Sequence, residues 1–180
     1  LYAPGNGRLA SWITATGGGG LLWHRHALTR WLPDATSDVH GLWIYVRDED
    51  SGAIWSAGHQ PTCVTAADAH VIFHPHMAEF HRHDDGVGIT MEVTVAPGDD
   101  LEIRRITVLN ESGRERTLRF TSYGEVVLAP PLEDERHPAF SKLFVGSEYL
   151  PDINGLLFTR RTRDPGDRPP VLLHMIVGVT

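Results

Sequence analysis

VGITMEVTVAPGDDLEIRRITVLN, Val87 to Asn110, is the stretch whose reading decides the fold. Met91, Val93 and Val95 alternate with Glu92 and Thr94, the period of two that sends successive side chains to opposite faces of a strand. APGDD at 96–100 then breaks the alternation with turn-forming residues, so the stretch reads as two antiparallel strands, near 87–96 and 101–109.

The same grammar extends outward. Leu42, Ile44 and Val46 alternate with Trp43, Tyr45 and Arg47, and DEDSG at 48–52, DDG at 84–86 and NESGRE at 110–115 supply further turns. Helical periodicity is nearly absent. Strands are expected near 9–15, 42–48, 53–57, 69–74, 77–83, 87–96, 101–109, 116–128, 141–149, 155–163 and 171–179, joined as consecutive antiparallel hairpins. That is too many for one open sheet, so the expected class is all-β, a two-layer antiparallel β-sandwich, in one domain over 1–180. Two loops interrupt it: the Gly-rich entry at 17–20 with the segment up to 41, and PPLEDERHPAF at 130–140, either able to hold a short helical turn. TRDPGDRPP at 162–170 reads as a long hairpin loop.

The totals set limits. With 180 residues, 41% of them hydrophobic, the chain can bury a real core. A formal charge of −7 argues against a nucleic-acid partner, which calls for a basic surface. Cys63 is the single cysteine, which excludes an internal disulfide and a multi-cysteine zinc site and fits a reducing compartment. No apolar run approaches membrane-spanning length. The first residue, Leu1, and the closing VLLHMIVGVT read as the ends of a piece from something longer. A late apolar strand lacking a neighbour would expose an edge, which leaves a homodimer through the C-terminal region open.

Five of the eleven histidines fall in HVIFHPHMAEFHRHDDG, His70 to Gly86. Imidazole and carboxylate are metal ligands, but a site needs three or four that converge with supporting groups. On the strand reading His81 and His83 share one face while His74 and His76 have the other parity, so the expectation is an exposed hairpin end with no metal and no cofactor. Other chemistry finds no support either. There is no GxSxG elbow, and the GGGG run lacks the Lys-Ser/Thr of a phosphate loop, which leaves turns or close backbone approach as its purpose. The loop acids cannot be paired by distance as glycoside chemistry requires. Asn110-Glu111-Ser112 is read as an Asn-led turn rather than a glycosylation site.

The informative residues are aromatic. Trp12, Trp23, Trp31, Trp43 and Trp55 all lie in the first third, interspersed with Arg30, Asp34, Arg47 and Asp48. Sugars lay C–H faces on rings and bond their hydroxyls to charged and amide groups, so the mixture suits a saccharide surface. Trp43, Tyr45 and Arg47 should share one strand face and be available if Leu42, Ile44 and Val46 pack the core. A covering strand or loop would bury that face instead.

Read together, NGRLASWITATGGGG, LTRWLPDATSD, GLWIYVRDEDSGAIWSAGHQPT, TSYGEVVLAP and HPAFSKLFV resemble the β-sandwich domain of cyclic β-1,2-glucan synthases and, more distantly, the N-terminal domain of cellobiose and chitobiose phosphorylases, the glycosyltransferase family 36 proteins. The resemblance covers nearly the whole chain. It implies a galactose mutarotase-like supersandwich standing before an (α/α)6 catalytic barrel of a bacterial enzyme that supplies the general acid and phosphate site, so that the fragment alone is inactive. It implies as partners a β-glucan or oligosaccharide and the catalytic barrel of the same polypeptide, and a cytoplasmic location, free or as the cytosolic part of an inner-membrane protein. The positions that would inherit sugar contact are Trp23, Arg30, Trp31, Asp34, Tyr45, Arg47, Asp48 and Trp55. Where the family often has GGGYS, this chain has Gly18-Gly19-Gly20-Leu21-Leu22, without the Tyr and Ser. Two other readings stay open: a purely structural sandwich bracing a barrel or dimer, and a self-sufficient hydrolase or epimerase on a mutarotase-like sandwich.

Overall fold

The computed structural model describes all residues except Ala35, Arg163, Pro165, Val179 and Thr180. The expected strand end at 179 and two positions of the 162–170 loop therefore lie outside the described residues. In chain order the elements begin with β1 (Leu9–Ile13), β2 (Gly19–Trp23), β3 (His26–Thr29), β4 (Trp43–Asp48) and β5 (Ile54–Ser56). There follow β6 (Asp68–Phe73), β7 (Ala78–Asp84), β8 (Val87–Val95), β9 (Glu102–Asn110), β10 (Leu118–Tyr123) and β11 (Val126–Ala129). The helices α1 (Pro131–Arg136) and α2 (Pro138–Lys142) precede β12 (Val145–Leu150), β13 (Gly155–Arg160) and β14 (Leu172–Met175).

The opening stretch folds as its alternation predicts: β8 and β9 pair antiparallel in unbroken register from Val87↔Asn110 to Val95↔Glu102. Val87, Ile89, Met91, Val93 and Val95 are all buried, while the residues between them are partly exposed. β6 and β7 complete this meander in the order β6-β7-β8-β9. The turn at Asn110 is the Asx type expected, its side-chain oxygen accepting from the Ser112 amide at 3.1 Å.

The other antiparallel sheets are β1-β2-β3-β11, β10-β4-β5 and β12-β13-β14. Packing between them makes the core. Val46 and Trp55 meet Phe80, Ile89, Met91 and Val93 in one cluster, and Leu9, Leu21, Leu28, Val95 and Leu128 form a second, against which Phe158 and Leu172 pack. The fold is all-β apart from its short helices.

Three expectations need correction. The segment 17–41, read as a loop, contains β2 and β3; GGLLW has no alternation to reveal a strand. Its glycines serve close approach: Gly19 has φ +136, and a Cβ there would stand 1.7 Å from the Trp12 carbonyl oxygen. The single strand expected over 116–128 is two, broken at Gly124-Glu125, and its halves join different sheets, β10 beside β4 and β11 beside β3. Consecutive hairpins thus describe only part of the topology, because burial of apolar faces, not adjacency in sequence, selects those partners. Third, β12 begins at Val145 rather than near 141, since Pro138 starts α2 and carries the chain to Lys142 as helix. The helical turns foreseen in 130–140 are α1 and the start of α2.

Candidate functional site

β4 presents the two faces its parity predicts. Val46 pairs with Phe120 and Trp55 on the inner side, while Trp43, Tyr45 and Arg47 pair with Tyr123, Thr121 and Arg119 on the outer side. The outer face is only partly open. Trp43 is 4% exposed, with Gly17 and Gly41 against its indole, whereas Tyr45 is half-buried and Tyr123 is 50% exposed. Beside them Arg30, Val39, His40, Pro61 and Glu125 close a cavity of about 210 Å³. A second cavity of about 300 Å³ lies where Glu125, Lys142, Ser147 and Phe158 meet. Glu125 lines both.

An ion network holds this corner. Arg30, at the end of β3, gives its Nε and one terminal nitrogen to the two oxygens of Asp134 at 2.7 and 2.8 Å. Its other terminal nitrogen donates to Glu125, whose same oxygen meets Lys142 Nζ at 3.1 Å. The Arg30 amide also donates to the Glu125 carbonyl at 2.8 Å. Arg30 and Asp134 are both buried, so their two-pronged pairing is what makes burial of the charges tolerable. It also raises the Arg30 pKa. Burial pushes the Asp134 carboxyl up, but the hydrogen bonds and charge of Arg30 outweigh it, and the carboxyl sits below its ordinary range.

Of the eight sequence-predicted positions, Arg30 and Tyr45 come together at the first cavity, and Arg47 extends the same strand face with its side chain 53% exposed. Trp31 is half-buried and stacked on Trp12 with ring centroids 5.5 Å apart. Trp23 donates its indole N–H to Asp100 at 2.6 Å and packs beside the second core cluster. Asp34 is exposed but committed to a turn: it accepts from the Thr36 hydroxyl and amide and the Ser37 hydroxyl, which lower its pKa to about 2. The structure moves Asp48 and Trp55 from the expected surface into the interior. Both belong to inner faces: Trp55 opposes Val46, and Asp48, fully buried, accepts from Ser51 at 2.7 Å and Arg116 at 2.6 Å.

Tyr123, His40 and Lys142 are not singled out by the sequence, and Glu125 counts there only among the loop acids that cannot be paired by distance. TSYGEVV, which carries Tyr123 and Glu125, is part of the family resemblance, but nothing local says that a strand break would aim its acid into a cavity.

The histidine stretch resolves differently. Glu79 bridges His74 at 2.9 Å and His81 at 2.8 Å, and His81 stacks on His70 with centroids 4.4 Å apart. Arg82, taken as part of an exposed hairpin end, is buried: it binds Asp84 through Nε at 2.6 Å and the carbonyls of Gly58 and Val64. Among the described residues no group of three or more His, Cys, Asp or Glu side chains could hold a metal ion. Among the described residues no helix is long and apolar enough to cross a membrane.

Comparison with known proteins agrees with this architecture. The chain is 34% identical over 171 residues to the cyclic beta-(1,2)-glucan synthase NdvB of Rhizobium meliloti, which covers 95% of this chain and 6% of that protein. N,N'-diacetylchitobiose phosphorylases of Vibrio furnissii and Vibrio proteolyticus are 27% and 26% identical, covering 85% and 77% of this chain and 19% of each enzyme. The chain thus spans less than a fifth of the length of these relatives. Residues 4–180 match the family described as glycosyl hydrolase 94, supersandwich domain. By that match the chain, an assembly of antiparallel sheets, belongs to the glycosyl hydrolase 94 supersandwich domain family.

Proposed function

We propose that this chain is a non-catalytic sandwich domain of a larger enzyme, a cyclic β-1,2-glucan synthase or related glycoside phosphorylase, and that it holds a β-glucan or oligosaccharide near a catalytic barrel of the same polypeptide. The observation that carries the reading is the cleft beside β4 and β10, where the rings of Tyr45 and Tyr123 stand next to His40, Arg30 and Glu125. Rings supply a platform for sugar C–H faces and the polar groups bond hydroxyls. On this reading the domain works on the cytosolic side, free or attached to the inner membrane.

Isothermal titration with linear β-1,2-gluco-oligosaccharides tests it. Saturable heat is expected, weakened roughly ten-fold in Tyr123→Ala by loss of ring contact. Absence of heat at millimolar ligand, or an unchanged Kd in the variant, refutes it.

The structural reading has its own support, namely apolar surface on the last sheet. Leu173 and Met175, which share one face of β14, are 45% and 40% exposed. Such a surface fits a domain that braces a neighbouring barrel or a second copy. No heat together with dimerisation in sedimentation would favour it.

A further inference from the structure

Glu125 stands where the chain leaves β10 and enters β11, and it lines both cavities of the cleft. Its side chain is 29% exposed. The carboxylate is used on one side only: Oε2 takes both Arg30 and Lys142, and among the described residues none hydrogen-bonds Oε1. An ionised carboxylate has roughly four acceptor positions shared between two oxygens. Here one oxygen is anchored by two cations and its twin is left unspent, on a residue that lines both hollows. Tyr45 and Tyr123 flank the first hollow, and Ser147 and Phe158 flank the second.

We infer that Glu125 Oε1 is the hydroxyl-accepting anchor of the cleft, binding a free hydroxyl of a pyranose that straddles the two cavities, with the tyrosine rings beneath the sugar. The inference rests on the saccharide reading above and specifies its atom. A carboxylate accepts and does not donate, so the group it recognises must be a donor. Unsubstituted sugar hydroxyls qualify; ether and deoxy positions do not. The fixed orientation given by Arg30 and Lys142 turns this acceptor into a determinant of which ring position is read, because the carboxylate does not have to be ordered when the sugar arrives.

The test uses a β-1,2-linked glucose disaccharide and its monodeoxy analogues, each lacking one hydroxyl, titrated into the 180-residue chain, Glu125→Gln and Tyr123→Ala, with thermal melts to confirm folding. In the unaltered chain, deleting one particular hydroxyl should weaken binding roughly ten-fold or more, the scale of a hydrogen bond to a charged acceptor. In Glu125→Gln the parent disaccharide should weaken by a similar factor and that positional preference should fall below about three-fold. If the unaltered chain tolerates every deletion equally, the inference fails without help from any variant. If Tyr123→Ala weakens binding while Glu125→Gln keeps both affinity and preference, the cleft binds sugar and Glu125 is not its anchor. If Tyr123→Ala binds as the unaltered chain does, the cleft is not the sugar site and both readings fall together.

Discussion

Truncating Trp55 separates a buried aromatic core from a sugar-facing surface. The ring lies between β4 and the β6-β7-β8-β9 meander, 4% exposed, opposite Val46 and in the cluster with Phe80, Ile89 and Met91. A buried tryptophan removes roughly 150–250 Å² from water, which at about 25 cal/mol/Å² corresponds to about 4–6 kcal/mol as an upper value. Measured truncations of Phe and Trp to Ala fall at about 3–5 kcal/mol. Trp55→Ala is expected in that range, lowering Tm by roughly 6–20 °C. Trp55→Phe behaves differently. The indole N–H is buried with no hydrogen-bond partner among the described residues, so Phe loses some packing but also removes an unpaired donor. Its net change should stay within about 1 kcal/mol. Urea unfolding followed by far-ultraviolet circular dichroism reads both. A Trp55→Ala chain destabilised by less than about 1 kcal/mol would refute the core assignment and return Trp55 to the surface.

Gly19→Ala should prevent β1 and β2 from pairing as they do, because the new Cβ would meet the Trp12 carbonyl at 1.7 Å in a backbone with φ +136; a melt unchanged from the parent would contradict the close approach. Asp134→Asn leaves Arg30 with a weaker partner in a buried position, and we expect a loss near the lower end of the roughly 3–5 kcal/mol seen when a buried pair is broken, since Glu125 still pairs with Arg30. The same site has a sign in pH. Asp134 and Asp34 have folded pKa values below their unfolded ones, so their contribution is present above about pH 4 and is lost as pH falls through the folded values. Stability measured by urea titration should therefore decline on acidification below about pH 4 and do so less in Asp134→Asn; an acid limb identical in the two would refute the assignment.

Much of the fold was written locally. The alternation over Val87–Val95 and the APGDD turn determine the β8–β9 hairpin, and the parity of Trp43, Tyr45 and Arg47 determines which side of β4 faces away from the core. These features depend on neighbours two residues apart and on turn chemistry, which a sequence displays directly. Residues with distant partners were not legible in that way. GGLLW becomes β2 only because β1 and β3 flank it, and Trp43 is covered only because the segment through Gly41 returns over it.

The candidate site shows the same division. From the sequence came the class of residue, rings mixed with charges, and the resemblance that named a supersandwich; Arg30 and Tyr45 were among the positions it marked, and they do share a cavity. Only the tertiary structure decided that Trp55 and Asp48 are interior, that Asp34 is bound up in its own turn, and that Glu125 and Lys142 arrive beside Arg30 from a strand break and a helix far along the chain. The reason is physical: strand periodicity is a property of adjacent residues, whereas burial and the meeting of charges depend on which sheets pack together, and that is settled by contacts between segments distant in sequence.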